Sequence, residues 1–193
     1  MFGIICIGIF GVIGGLVFIR GIRIVRPTHV MLVETLGKFK SERKAGFHWI
    51  MPIIQKGLLV NKTERMIDIG PQTIITEDNL NVAIDAVVYY QIIDARAAAY
   101  NIDNHRYQLA SLARTTLRAV LGKMTFAEAN EQRQEINKNM EGSLVKETKS
   151  YGLNILRVEI QRIEAPGNVQ QSMNQVVIAA REKMAATDFA IQY

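Results

Sequence analysis

The sequence predicts an α+β chain: an N-terminal transmembrane helix, a body of antiparallel strands and packed helices, and the start of a long coiled-coil-like helix. Three patterns predict it. Residues 2–19 carry no charge. Along the body, apolar residues recur first with a period of two and then at three- and four-residue steps, so a run of strands precedes a run of helices. The last segment repeats its apolar positions every seven residues.

Residues 2–19 read FGIICIGIFGVIGGLVFI, with six Ile, three Phe, two Val, one Leu, one Cys and five Gly. As a helix they span roughly 27 Å at about 1.5 Å per residue, close to the ~30 Å hydrocarbon core of a bilayer. Twelve strongly apolar side chains favour insertion by very roughly 5 kcal/mol, and no charge opposes it. A cleaved signal peptide needs a basic n-region and a small-x-small cleavage site. No Lys or Arg precedes the run, and the first alanine is Ala45. A buried soluble helix is disfavoured by the five glycines. Residues 1–20 are therefore expected to be an uncleaved, single-pass anchor. Gly11 and Gly15 within it form a G-x-x-x-G pair, which permits close helix contact.

The net charge is +5, from 23 Lys and Arg against 18 Asp and Glu, and the only charged side chains in residues 1–33 are Arg20, Arg23 and Arg26. Without those three the body is nearly neutral. A nucleic-acid binder carries its basic excess on the folded domain; here the excess sits beside the apolar run, so the sequence points to membrane lipids and not to nucleic acid. The arginine flank predicts the N-terminus outside and the body on the cytoplasmic face. Spacing by threes suits a helix face. If IRIVRP is instead extended, Arg20, Arg23 and Arg26 share no face. The one cysteine, Cys6, lies in the apolar run, so no disulfide within the chain and no cysteine-based metal site is expected.

HVMLVET (29–35) reads as a strand, and LGKFKSERKAG as a turn-rich hairpin. GFHWIMPIIQKGLLVNK (46–62) is a second apolar patch with the single Trp and Pro52 inside it. It is too short to span a bilayer. Two readings stay open: a core loop plus a strand, or an interfacial segment with Phe47, His48 and Trp49 at headgroup level. TERMIDI and QTIIT read as short strands broken at Gly70-Pro71, and EDN (77–79) as a turn. LNVAIDAVVYYQI (80–92) has the clearest period of two, with Val82, Ile84, Ala86, Val88, Tyr90 and Ile92 on one face.

Residues 94–100 and 105–123 then read as helices. Leu109, Leu112, Thr116 and Val120 form the expected stripe of the second, and Gly122 its stop. Thr125 with Glu128 is a capping box opening a further helix, with Ile136, Met140, Leu144 and Val145 as its stripe and an end near Gly152. LNILRVEIQRI (153–163) alternates again through Leu156, Val158 and Ile160. After Pro166-Gly167, Met173, Val177, Ala180, Met184, Thr187 and Ile191 step by 4, 3, 4, 3, 4. Such a seven-residue repeat predicts an oligomerisation seam. A helix that reaches Tyr193 without a cap is the expectation for a chain cut from a longer parent.

No catalytic constellation stands out. His29, His48 and His105 lie far apart, and no H-E-x-x-H, G-x-S-x-G, phosphate-binding loop or Cys/His metal spacing occurs. A non-enzymatic protein without cofactor or metal is expected.

The anchor, followed in order by RIVRPTHVMLVETLGKF, GFHWIMPIIQK, TEDNLNVAIDAVVYYQIIDARAAAY, LARTTLRAVLGKMTF and YGLNILRVEIQRIEAP, resembles the SPFH or band-7 family, and within it the stomatin-like branch with its prokaryotic relatives. The resemblance implies a two-part domain after the 1–20 anchor: a membrane-proximal part over 21–95, a second part over 96–165, and an oligomerising helix beginning at 166–193. It further implies large homo-oligomeric rings or cages that organise membrane microdomains and regulate membrane proteases or channels. A prokaryotic plasma membrane and an NfeD-type membrane partner are implied in the same way. The acylated cytosolic cysteine of eukaryotic stomatin has no counterpart, because Cys6 lies in the span.

Overall fold

The computed structural model describes residues 15–16, 18–165 and 167. Most of the expected span, and all of the expected seam from Met173 to Ile191, lie outside the described residues. Gly15, Leu16 and residues 18–20 are helical. Among the described residues no helix is long and apolar enough to cross a membrane.

Nine strands and four α-helices follow among the described residues: β1 (Ile22–Val25), β2 (His29–Thr35), β3 (Lys38–Arg43), β4 (Gly46–Trp49), β5 (Gln55–Asn61), β6 (Arg65–Asp68), β7 (Gln72–Ile75), β8 (Asn81–Ile92), α1 (Ala95–Tyr100), α2 (His105–Leu121), α3 (Phe126–Glu131), α4 (Arg133–Thr148), a 3₁₀ turn (Lys149–Tyr151) and β9 (Leu153–Glu164). The stretch IRIV is extended, so the three arginines lie on no common helix face. The chain divides into two compact units, each drawn from three segments. Unit 1 is Met1–Met66, Tyr89–Leu109 and Val145–Leu156; unit 2 is Ile67–Val88, Ala110–Leu144 and Arg157–Tyr193. These units are interleaved along the sequence.

In unit 1, β2 is the central strand of a three-stranded antiparallel sheet, with β3 and β5 on either side. Its near-continuous apolar run is explained by burial on both faces. Met31 and Val33 join Val25 and Ile50 on one side. Val30 and Leu32 meet Ala95, Phe39, Val60 and Ala99 on the other. The helix α1 is capped by Asp94, whose carboxylate accepts from the Ala97 amide. It is tied to β2 by Tyr100 Oη–H, which donates to Glu34 at 2.8 Å. Partial burial and that bond push the Tyr100 phenol up to about 12. Gly152 takes φ +68 and lies so close to Asp94 that a Cβ would meet its carbonyl at 2.4 Å. Only glycine suits both demands.

The second sheet has the order β6-β8-β7, with β9 also paired to β8. All six residues expected on one face of β8, Val82 through Ile92, are buried. Hydrogen bonds within unit 2 hold its helices. Arg114 Nε donates to the Ile69 carbonyl, and the Ile160 amide donates to Asn137 Oδ1. The Phe126 amide donates to the Asp78 carboxylate.

Three expected stripes are corrected. On α2 the fully buried residues are Leu109, Ala113, Leu117 and Leu121, while Leu112, Thr116 and Val120 are half-buried. The true stripe steps by four throughout, and alanine fills one place in it. On α4, Ile136, Met140 and Leu144 are buried as expected, but Val145 is exposed. Along β9, Leu153, Ile155 and Val158 are buried while Leu156 and Ile160 are only half-buried, so the alternation changes phase between 155 and 158.

Candidate membrane-contact surface

Gly21 is where helix gives way to strand. Its amide donates to the Phe18 carbonyl at 3.2 Å, and its own carbonyl accepts from the Ile50 amide at 2.8 Å. A Cβ here would stand 2.5 Å from the Ile50 oxygen and 2.6 Å from Trp49 Nε1, so a side chain forces β4 to move. Trp49 Nε1–H donates to the same Phe18 carbonyl at 3.1 Å, and the two rings lie 5.7 Å apart. The indole thereby satisfies a carbonyl that a helix end leaves without an intrahelical donor.

Beyond Gly21, β1 and β4 form a two-stranded antiparallel ribbon. Ile22 stands opposite Trp49, Arg23 opposite His48, and Ile24 opposite Phe47. Opposed residues share a face. One face therefore carries Ile22, Ile24, Phe47 and Trp49, exposed by 37, 76, 66 and 43%. The other carries Arg23, His48 and Val25, and Val25 is buried. An open face of two isoleucines and two aromatics is the reverse of what water selects. Full burial of one such side chain is worth ~1.5–3 kcal/mol, so half burial of all four gives about 3–6 kcal/mol.

A second apolar cluster stands at the hairpin joining β2 to β3. Thr35 pairs with Lys38, which leaves a two-residue turn of Leu36 and Gly37. Both have positive φ, +51 and +79, as a type I′ turn requires. Asparagine suits the first position; leucine there is strained. Leu36 is nonetheless 79% exposed. Its amide donates to the Ile54 carbonyl at 2.9 Å, joining it to a turn that exposes Met51, Ile53 and Ile54. Gln55 braces that turn: its Oε1 accepts from the Met51 amide and its Nε2 donates to Thr35.

Of the residues singled out in the sequence, Phe47 and Trp49 lie on the open face and His48 on the opposite one, half-buried, with Nε2–H donating to the Lys44 carbonyl at 2.7 Å. Arg23 pairs across from His48, while Arg20 ends the helical residues and Arg26 follows β1; all three arginines are exposed. Ile22, Ile24 and Leu36 were not singled out, while the 51–54 turn falls inside the 46–62 patch that the sequence offered as an interfacial segment. The alternation in IRIV signals the first two. Charge is also unevenly spread: unit 1 holds 14 Lys and Arg against 6 Asp and Glu, and unit 2 holds 9 against 12. The near-neutral body of the sequence reading conceals that difference. Among the described residues no group of three or more His, Cys, Asp or Glu is placed to hold a metal ion.

The sequence of this mixed α+β chain matches the model of one family, described as "SPFH domain / Band 7 family", over residues 23–192. The chain belongs to that family. It is 35% identical over 178 residues to an uncharacterized protein of Methanocaldococcus jannaschii, covering 92% of this chain and 89% of that one. It is 34% identical over 167 residues to an uncharacterized protein of Methanothermobacter thermautotrophicus, and 32% identical over 166 residues to a stomatin-like protein of Caenorhabditis elegans. Each of these two alignments covers 86% of this chain; the chain spans about half of those relatives, 52% and 51%.

Proposed function

We propose that this protein is a membrane-associated, non-enzymatic scaffold. In this reading residues 1–20 anchor it, the β1–β4 ribbon and the Leu36 hairpin of unit 1 lie in the headgroup region, and copies assemble through the body and the helix from 166 to 193. The exposed apolar face of Ile22, Ile24, Phe47 and Trp49, set among basic side chains, carries the reading. Lys and Arg near an anionic leaflet add about 1 kcal/mol each where they reach the surface. Membership of the SPFH family and similarity to a stomatin-like protein support the same assignment.

Assembly into rings or cages and regulation of a membrane protease, a channel or an NfeD-type membrane protein belong to the proposal as its functional end. Particle mass after gentle detergent extraction of the full-length protein tests the scaffold, and a stable monomer contradicts it. Crosslinking in native membranes tests the mode of action. A ladder of self-adducts is the expected result. One dominant heterologous partner, without self-adducts, would instead mark a low-stoichiometry regulator of that single partner.

A further inference from the structure

Unit 1 holds a second feature that membrane contact does not use. A cavity of about 290 Å³ is lined by Asn61, Arg65, Ile92, Ala98, Asn104 and His105, with Leu58 and Leu59 adding apolar wall. Its polar groups come from three places: the end of β5, the start of β6, and the N-terminus of the 17-residue helix α2. Among the described residues Arg65 makes no ion pair. Asp103 is the only carboxylate in the lining and is exposed.

Two buried polar atoms belong to this wall, one on the lining residue His105 and one on Tyr90 behind it. Tyr90 lies on the buried face of β8, two residues before Ile92, with its side chain wholly buried. Its ring meets that of His105 edge-on, with centroids 6.1 Å apart. His105 Nε2 has no hydrogen-bond partner, the Tyr90 hydroxyl has only the Arg65 side chain within reach, and both atoms are closed off from solvent. Native interiors seldom leave a group such as the His105 nitrogen unpaired, and here it stands on a cavity that also has a guanidinium with no carboxylate partner. Burial, with Arg65 and Arg106 close by, holds the His105 imidazole below its ordinary range. Burial raises the Tyr90 phenol. Both groups are therefore neutral near pH 7 and able to donate, the imidazole as its Nε2–H tautomer. The partial positive charge of the α2 N-terminus has the same sign as the two arginines.

We propose that this cavity binds a small organic anion, a carboxylate or phosphate head on a short apolar stem. Arg65 pairs with the head. Drawing its flexible side chain into the cavity uncovers Tyr90 Oη and His105 Nε2, which then donate to the same head. The stem lies against Leu58, Leu59, Ile92 and Ala98. Asp103 opposes a second negative charge, which favours a monoanion.

The test is calorimetric titration of the full chain in a neutral detergent with hexanoate and with hexyl phosphate, and in parallel with phosphatidylcholine vesicles containing or lacking phosphatidic acid. Saturable binding of a soluble probe at about 1 mM or tighter is expected. Arg65→Gln should weaken it about tenfold or more, and Tyr90→Phe about fivefold. Tyr90→Phe removes a single buried hydroxyl and keeps the ring, so its melting temperature should stay close to that of the parent, which shows that the weakened binding is not unfolding. Binding confined to phosphatidic acid vesicles, and weakened by the same two substitutions, identifies a lipid headgroup as the source of the anion. Absence of binding in both arms, or binding that neither substitution weakens, overturns the proposal.

Discussion

Leu36 holds a conformation that its side chain resists and an exposure that its chemistry resists. A non-glycine residue at positive φ costs roughly 1 kcal/mol, and asparagine relieves much of that. Leu36→Asn should therefore raise the unfolding free energy by about 0.5–1 kcal/mol, read from a thermal melt in detergent. A residue whose removal stabilises the fold owes its place to something other than the fold. The proposed membrane contact would supply the reason. In a Cys6→Ser background reconstituted in vesicles, Leu36→Cys should react several-fold more slowly with a membrane-impermeant maleimide than Lys62→Cys; equal rates would remove the hairpin from the interface. Gly21 is the opposite case, fixed by packing alone. Gly21→Ala drives a methyl into the Ile50 carbonyl and the Trp49 indole and should cost about 1–3 kcal/mol.

At the scale of elements, the strongest local signals in the sequence are also the most local in physics. The capping box of Thr125 and Glu128 is formed in full, with Thr125 accepting from the Glu128 amide and Glu128 accepting from Thr125. Thr125→Ala should cost about 1 kcal/mol in chemical denaturation. The bonds from the Thr125 backbone and side chain hold the Glu128 carboxyl below its ordinary value. A lowered folded pKa contributes stability above the unfolded value and loses it as pH falls through the folded one. The denaturation midpoint should drop through that acid range, and the drop should shrink in Thr125→Ala. The alternation of β8 was equally legible, because a twelve-residue period of two admits one register. Less legible was the helix break at Gln132, with φ −104 and ψ 36, between α3 and α4; neither glycine nor proline marks it. The buried stripe of α2 was misplaced because Ala113 does the work of a larger residue. Spacing alone does not separate two neighbouring rows of one helix face.

At the scale of the whole molecule, the sequence placed its expected anchor at the apolar start and offered 46–62 as an interfacial segment, but it did not join the two stretches into one surface. The ribbon escaped notice because each of its strands has only four residues, and the face they share exists only once β1 meets β4. The basic excess of unit 1 escaped for a related reason: 14 against 6 emerges only when three separated segments are counted together. If the arginine flank sets orientation, replacing Arg20, Arg23 and Arg26 with Glu should invert or mix the topology, and an unchanged cysteine-accessibility map would contradict that role. The central claim, that unit 1 rests in the headgroup region, is tested most directly by the single tryptophan, Trp49. Its fluorescence should be measured in the reconstituted full chain with brominated lipids and with aqueous acrylamide. Blue-shifted emission, quenched most by bromines near the top of the acyl chains, is the expected result. Emission typical of water, quenched freely by acrylamide and untouched by brominated lipid at any depth, would contradict it.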